Sequence, residues 1–124
     1  MKHLLFIALG GAGGALARHW LSNAVHGLAG PHFPLGTLAV NLIGSFCIGV
    51  MYVLIVERGL VHPDWRSVAM VGFLGAFTTF STFSLETIAL MENGQGLMAA
   101  GYVIGSVLLC ITGVWLAMGL TRLI

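Results

Sequence analysis

The chain has 124 residues, of which five are Lys or Arg and four are Asp or Glu, with a net charge of +1. Only 7% of the residues are charged and 58% are hydrophobic, against roughly 25% charged in a soluble domain. A water-exposed surface could not be covered from this composition, and no field is available to gather nucleic acid; lipid is the solvent that fits.

A membrane-spanning helix takes about 20 mostly apolar residues. Four such runs follow one another, so the predicted fold is an all-α membrane protein of four transmembrane helices in one domain, 1–124. The first run covers 4–25, with Arg18 inside it. Lys2 ahead of an apolar stretch looks like the start of a signal peptide. However, the run continues through Arg18 and Trp20 without a clear small-residue cleavage site, and three more runs follow, so this span is expected to be retained. Its Gly10-Gly11-Ala12-Gly13-Gly14 stretch has no strand before it, which excludes a phosphate-cradling loop and leaves a helix-packing surface.

The second run, 33–56, holds no charge. Asn41 stands in it among apolar residues, with Thr37 one turn before and Ser45 one turn after, all on one face. Such a stripe either joins helices by hydrogen bonds or lines a pore. The third run, 67–91, has Glu86 as its only charge. Five of the seven positions from Thr78 to Ser84 are hydroxyl residues: Thr78, Thr79, Ser81, Thr82 and Ser84. Hydroxyl side chains compete for backbone hydrogen bonds. With Gly72 and Gly75 just before them, they predict a break in this helix between Gly75 and Thr79. Broken helices in membranes occur where freed backbone lines a cavity or binds an ion.

Phe80 and Phe83 share a face once the helix resumes. A ring edge is electropositive and can meet a small anion without a full charge. The fourth run, 97–121, carries Tyr102, Ser106 and Cys110 one turn apart. Neutral donors of this kind can replace the water around an anion without holding it long. Arg18 is the one cation inside a span; it either snorkels to the interface or draws anions toward a vestibule.

Loops are signalled at Gly30-Pro31-His32-Phe33-Pro34, from Glu57 to Asp64, and at Glu92-Asn93-Gly94-Gln95-Gly96. Four spans place both termini on one side, together with Lys2, Arg58, Arg66 and Arg122. The bias favours cytoplasmic termini. His3, His19, His26, His32 and His62 have no i,i+4 spacing and no Cys beside them, so histidine metal ligation is not expected. Cys47 and Cys110 lie deep in apolar runs as inert thiols, and no spacing suggests a disulfide framework. No nucleophile–base pair or catalytic constellation is present, so an enzyme is not expected.

The stretch from Gly75 through Thr78-Thr79-Phe80-Ser81-Thr82-Phe83-Ser84 to Glu86 resembles the signature of the Fluc (CrcB) fluoride channels. So do Pro34-Leu35-Gly36-Thr37 through Asn41 to Gly44, and Gly10-Gly11-Ala12-Gly13-Gly14 through Arg18. The resemblance covers essentially the whole chain. It implies an antiparallel, dual-topology homodimer with two fluoride pathways, passively exporting fluoride across the cell (inner) membrane. Asn41 would help coordinate fluoride. Phe80 and Phe83 would give ring-edge contacts, and Ser81, Thr82, Ser84, Tyr102 and Ser106 hydroxyl stations. Glu86 would tune the vestibule. The backbone carbonyls of Gly75 and Thr78 from both subunits would hold one structural sodium ion that is not transported. Two departures stand: Cys110 occupies a position where some relatives carry Ser, and the charge bias runs against dual topology.

Two other functions fit a chain of this size. A small multidrug-type antiporter also has four spans and dual topology, but its proton coupling needs a Glu in the first helix, where this chain has only Arg18. A non-transporting structural subunit would use the polar stripes as helix–helix glue.

Overall fold

The computed structural model describes residues 1–124, and every element is helical. Helix α1 spans Lys2–Ala29. It stops at Gly30, whose φ of 85° continues no helix and whose N–H caps the His26 carbonyl. Helix α2 spans Leu35–Met51 and runs on as a π-helical stretch, Tyr52–Glu57. The next segment is π-helical over Arg66–Leu74 and tightens into a short α3, Gly75–Phe77. Thr78 and Thr79 are then extended, with φ/ψ of −84°/159° and −149°/124°. Helix α4, Phe80–Glu92, follows, and α5 covers Gly96–Arg122.

Taking the interrupted segment Arg66–Glu92 as one unit, four helices are long and apolar enough to cross a membrane. The first runs four residues past the 25 expected from hydropathy, because nothing in Val25–Ala29 breaks a helix before Gly30. Large apolar side chains such as Leu16, Trp20, Leu108 and Trp115 point outward. In water such a surface would drive association; against lipid it is the expected exterior.

Without a hydrophobic drive between helices in lipid, close backbone approach supplies the packing. Gly10 and Gly14 of α1 lie against the Val68 and Phe73 carbonyls of the π-helical segment, where a Cβ would overlap those oxygens. Gly72 reciprocates: a Cβ there would meet the Ile7 carbonyl at 2.7 Å. The α2–α5 seam follows the same rule, with a Cβ on Gly49 falling 2.8 Å from the Val114 carbonyl. At the terminal end, Arg122 holds Glu57 through both carboxylate oxygens, at 2.9 and 2.6 Å, and Lys2 lies 3.3 Å from Asp64. These pairs are partly exposed. Solvent screens both pairs, so they align helix ends rather than hold the bundle.

Candidate functional site

The interruption at Thr78–Thr79 frees backbone groups that a continuous helix would pair internally, and side chains around it take several of them up. The Thr78 N–H and hydroxyl both donate to the Leu74 carbonyl at 3.1 Å, closing the last turn of α3. The Thr79 hydroxyl accepts the Thr82 N–H at 3.2 Å, an N-cap that starts α4. From α2, the Asn41 amide pairs with both backbone groups of Thr79. Its Nδ2 donates to the Thr79 carbonyl at 2.9 Å, and its Oδ1 accepts the Thr79 N–H at 2.7 Å. The amide orientation follows from chemistry, because a backbone N–H can only donate. Gly44, one turn further along α2, gives room for this: a Cβ there would overlap the Thr78 side chain.

Arg18 approaches from α1. Its Nε donates to the Ala76 carbonyl at 3.0 Å. A cation in a membrane span costs about 2.5–3.5 kcal/mol on insertion scales. Docking on the negative C-terminal end of a helix returns about 0.3–2 kcal/mol, and the carbonyl bond adds to it. The Arg18 guanidinium is thus held at the break by a backbone carbonyl.

On the α2–α5 side of the break lies an open groove of about 430 Å³. Asn41, Ser45, Thr78, Phe80, Ser106 and Cys110 are among its walls, and no charged side chain borders it. Phe80 is 77% exposed, while Phe83 behind it is buried. Their centroids are 5.5 Å apart at 50°. Ser106 is only 6% exposed, and its hydroxyl has no hydrogen-bond partner. Buried polar groups are nearly always paired, which sets this hydroxyl apart from the other buried polar side chains.

Tyr102 is 1% exposed and donates its hydroxyl to Glu86 Oε1 at 3.0 Å. Its ring packs on Phe83 at 4.9 Å and edge-on to Phe33 at 5.4 Å. Glu86 opens on its other side to a mouth of about 210 Å³ shared with His26, His32 and Gln95. Across the break from the groove, Arg18, Thr37, Thr79 and Thr82 border a small polar cavity of about 160 Å³. Thr79 touches both spaces, so the extended linker is the wall between them.

The residues singled out from sequence therefore fall into three neighbouring places. Asn41, Gly75, Thr78, Phe80, Phe83 and Ser106 share the groove; Arg18, Thr37 and Thr82 share the cavity; Tyr102 and Glu86 form a pair leading to the mouth. Ser81 and Ser84 join none of them. Ser84 donates to the Phe80 carbonyl of its own helix at 2.9 Å, and Ser81 lies exposed, 3.4 Å from the Thr79 hydroxyl. Sequence reading passed over Thr79 as a site residue, although its helix-capping hydroxyl and following Thr82 were a readable signal. It had no means to find the Ala76 carbonyl or the Phe33 ring. No group of His, Cys, Asp or Glu is placed to hold a metal. The lining offers hydroxyl, thiol and amide groups together with two aromatic rings.

Residues 5–118 match the family model described as CrcB-like protein, Camphor Resistance (CrcB). The chain is 52% identical over its full length to the fluoride-specific ion channel FluC of Hahella chejuensis, of which it covers 98%. It is 49% identical to the FluC of Magnetococcus marinus over 98% of both chains. A FluC of Methylococcus capsulatus is 52% identical over 96% of this chain, which spans about half of that longer relative, 52% of its length. These relatives are named as channels, not as enzymes. With four spanning helices and matches of this extent, the chain is a multi-pass membrane protein that belongs to the CrcB family.

Proposed function

We propose that this chain is a fluoride-selective channel that lets fluoride leave the cell passively and electrogenically across the inner membrane. One observation carries the reading: a buried hydroxyl without a partner, on Ser106, borders a groove lined by neutral donors and by the exposed Phe80 ring. A strongly hydrated anion gives up water only where fixed donors replace it, and it leaves only where no cation traps it. Ser106 offers its O–H. Asn41 offers one N–H, since an amide nitrogen carries two and one is committed to Thr79. Phe80 and Phe83 offer ring edges. Thr37 and Thr82 line the polar cavity beyond the Thr79 wall, and Glu86, which accepts the Tyr102 hydroxyl, tunes the mouth. Relatives about half identical in sequence, named as fluoride channels, support the choice of ion.

The working unit in this reading is an antiparallel homodimer with two pathways. The groove is open along one side, and Phe80 is uncovered in the single chain; a second copy in the opposite orientation would close it. The Thr78–Thr79 interruption then lies near mid-membrane. The carbonyls of Gly75 and Thr78, with those of the partner, would hold a structural sodium ion. The donor chemistry fits, because no hydrogen bond reaches the Thr78 carbonyl and hard oxygens suit a hard cation. Sodium would supply charge that offsets converging carbonyl dipoles. The residues of this chain do the rest: they orient the ring edges, exclude bulk water and present the donors.

Efflux from liposomes containing only the purified protein tests the proposal. Fluoride release carried by a potassium ionophore, with chloride retained, is the expected result. Silence from well-reconstituted protein would sink the channel reading.

A further inference from the structure

We infer that Arg18 is a positioning residue: its Nε–H bond to the Ala76 carbonyl holds the end of α3, and through it the extended Thr78–Thr79 linker that carries Phe80. Three observations converge on this role. First, the bond itself has an ordinary hydrogen-bond length, 3.0 Å, and joins residues 58 apart in sequence. Second, its placement is built in. Gly14, one turn before Arg18, lies against the Phe73 carbonyl, one turn before the end of α3, so the glycine contact sets the height of the guanidinium. Third, Ala76 needs a donor. The residue that would serve it in a continuous helix is Phe80, which instead begins α4 beyond the extended pair. Asn41 secures the linker from the α2 side and Arg18 from the α1 side, so the break is pinned between two helices.

Three replacement side chains separate the bond from the charge. Glutamine carries its Nε2 on the same carbon as the arginine Nε, so Arg18→Gln keeps a donor at that point and removes the cation. Methionine has the same reach with no donor. Lysine keeps the charge but places a carbon where Nε stood. The flux readout rests on the fluoride-channel reading; the exchange readout does not. Hydrogen exchange followed by mass spectrometry on residues 74–82, in protein held in lipid nanodiscs, reports the linker directly.

Arg18→Gln is expected to protect that segment within about threefold of the parent and to carry fluoride within about threefold. Arg18→Met is expected to exchange at least about tenfold faster there and to lose at least about tenfold in flux. Arg18→Lys follows Met, and it decides the matter should Arg18→Met fail to fold. Loss of flux in Arg18→Gln with the segment still protected would make the charge, not the bond, the working feature and overturn the inference. Parental protection in Arg18→Lys would do the same. If the parent itself carries no fluoride, the channel reading fails, while the exchange series still decides the role of Arg18.

Discussion

The two halves of the interrupted third span are held in opposite ways. The first half, through Phe77, lies close against the α1 backbone, with Gly10, Gly14 and Gly72 leaving out the Cβ atoms that would collide with backbone carbonyls. The second half, from Phe80, is held by side chains: Phe83 on the Tyr102 ring, and the Tyr102 hydroxyl on Glu86. Backbone contact leaves nothing to rotate and makes a fixed post. Side-chain contact presents rings and hydroxyls, the groups a passing ion could use. The difference suggests a division of labour, in which a rigid half locates the break and a chemically varied half faces the groove.

Asn41→Asp strikes the joint between the halves and should have the largest effect. It sets an oxygen against the Thr79 carbonyl, and an unpaired buried polar group costs about 1–3 kcal/mol, more when charged. Fluoride efflux should fall by at least an order of magnitude in protein that still purifies as folded. Phe80→Ile should stop efflux comparably by removing the exposed ring, since a branched alkyl group has no electropositive edge. Parental flux in both variants would take these residues out of the pathway.

Gly14→Ala attacks the rigid half alone. Its Cβ meets a backbone carbonyl that cannot swing aside, so a loss of about 1–3 kcal/mol is expected, read as a lower thermal unfolding midpoint in detergent. Should that midpoint stay put, the glycine seam is not the fixed post described above. Tyr102→Phe touches only the second half. It keeps the ring stack and removes the bond to Glu86, for about 0.5–1.5 kcal/mol. Smallest in stability is Ser106→Ala, because no hydrogen bond is lost; a change in unfolding free energy within about 0.5 kcal/mol is expected. Its efflux should nevertheless drop, and unchanged efflux would show that the unpaired hydroxyl does not meet the ion.

Much of this was legible in the residues. Charge so sparse and apolar runs so long leave four helices in lipid as the one economical outcome, and the motif around Thr78–Glu86 points to the family. Asn41 stood out because a lone amide in a charge-free run demands a partner. Its partner did not stand out: Thr79 is 38 residues away, and a backbone group leaves no mark on a sequence. Arg18 was visible as an anomaly, yet its carbonyl partner was not. The π-helical stretches at Tyr52–Glu57 and Arg66–Leu74 also carried no composition signal, since they change the winding and not the residue types.

By itself, then, the sequence determined the solvent, the number of spans, the family and the inventory of neutral donors, because these depend on composition and local order. Which donors are spent and which remain free was decided only by tertiary structure. Asn41 gives one N–H and its oxygen to Thr79, Tyr102 gives its hydroxyl to Glu86, Ser84 turns back on its own helix, and Ser106 is left without a partner. A hydrogen bond is satisfied by distance and direction in space, and residues far apart in the chain meet those conditions only after the helices have packed.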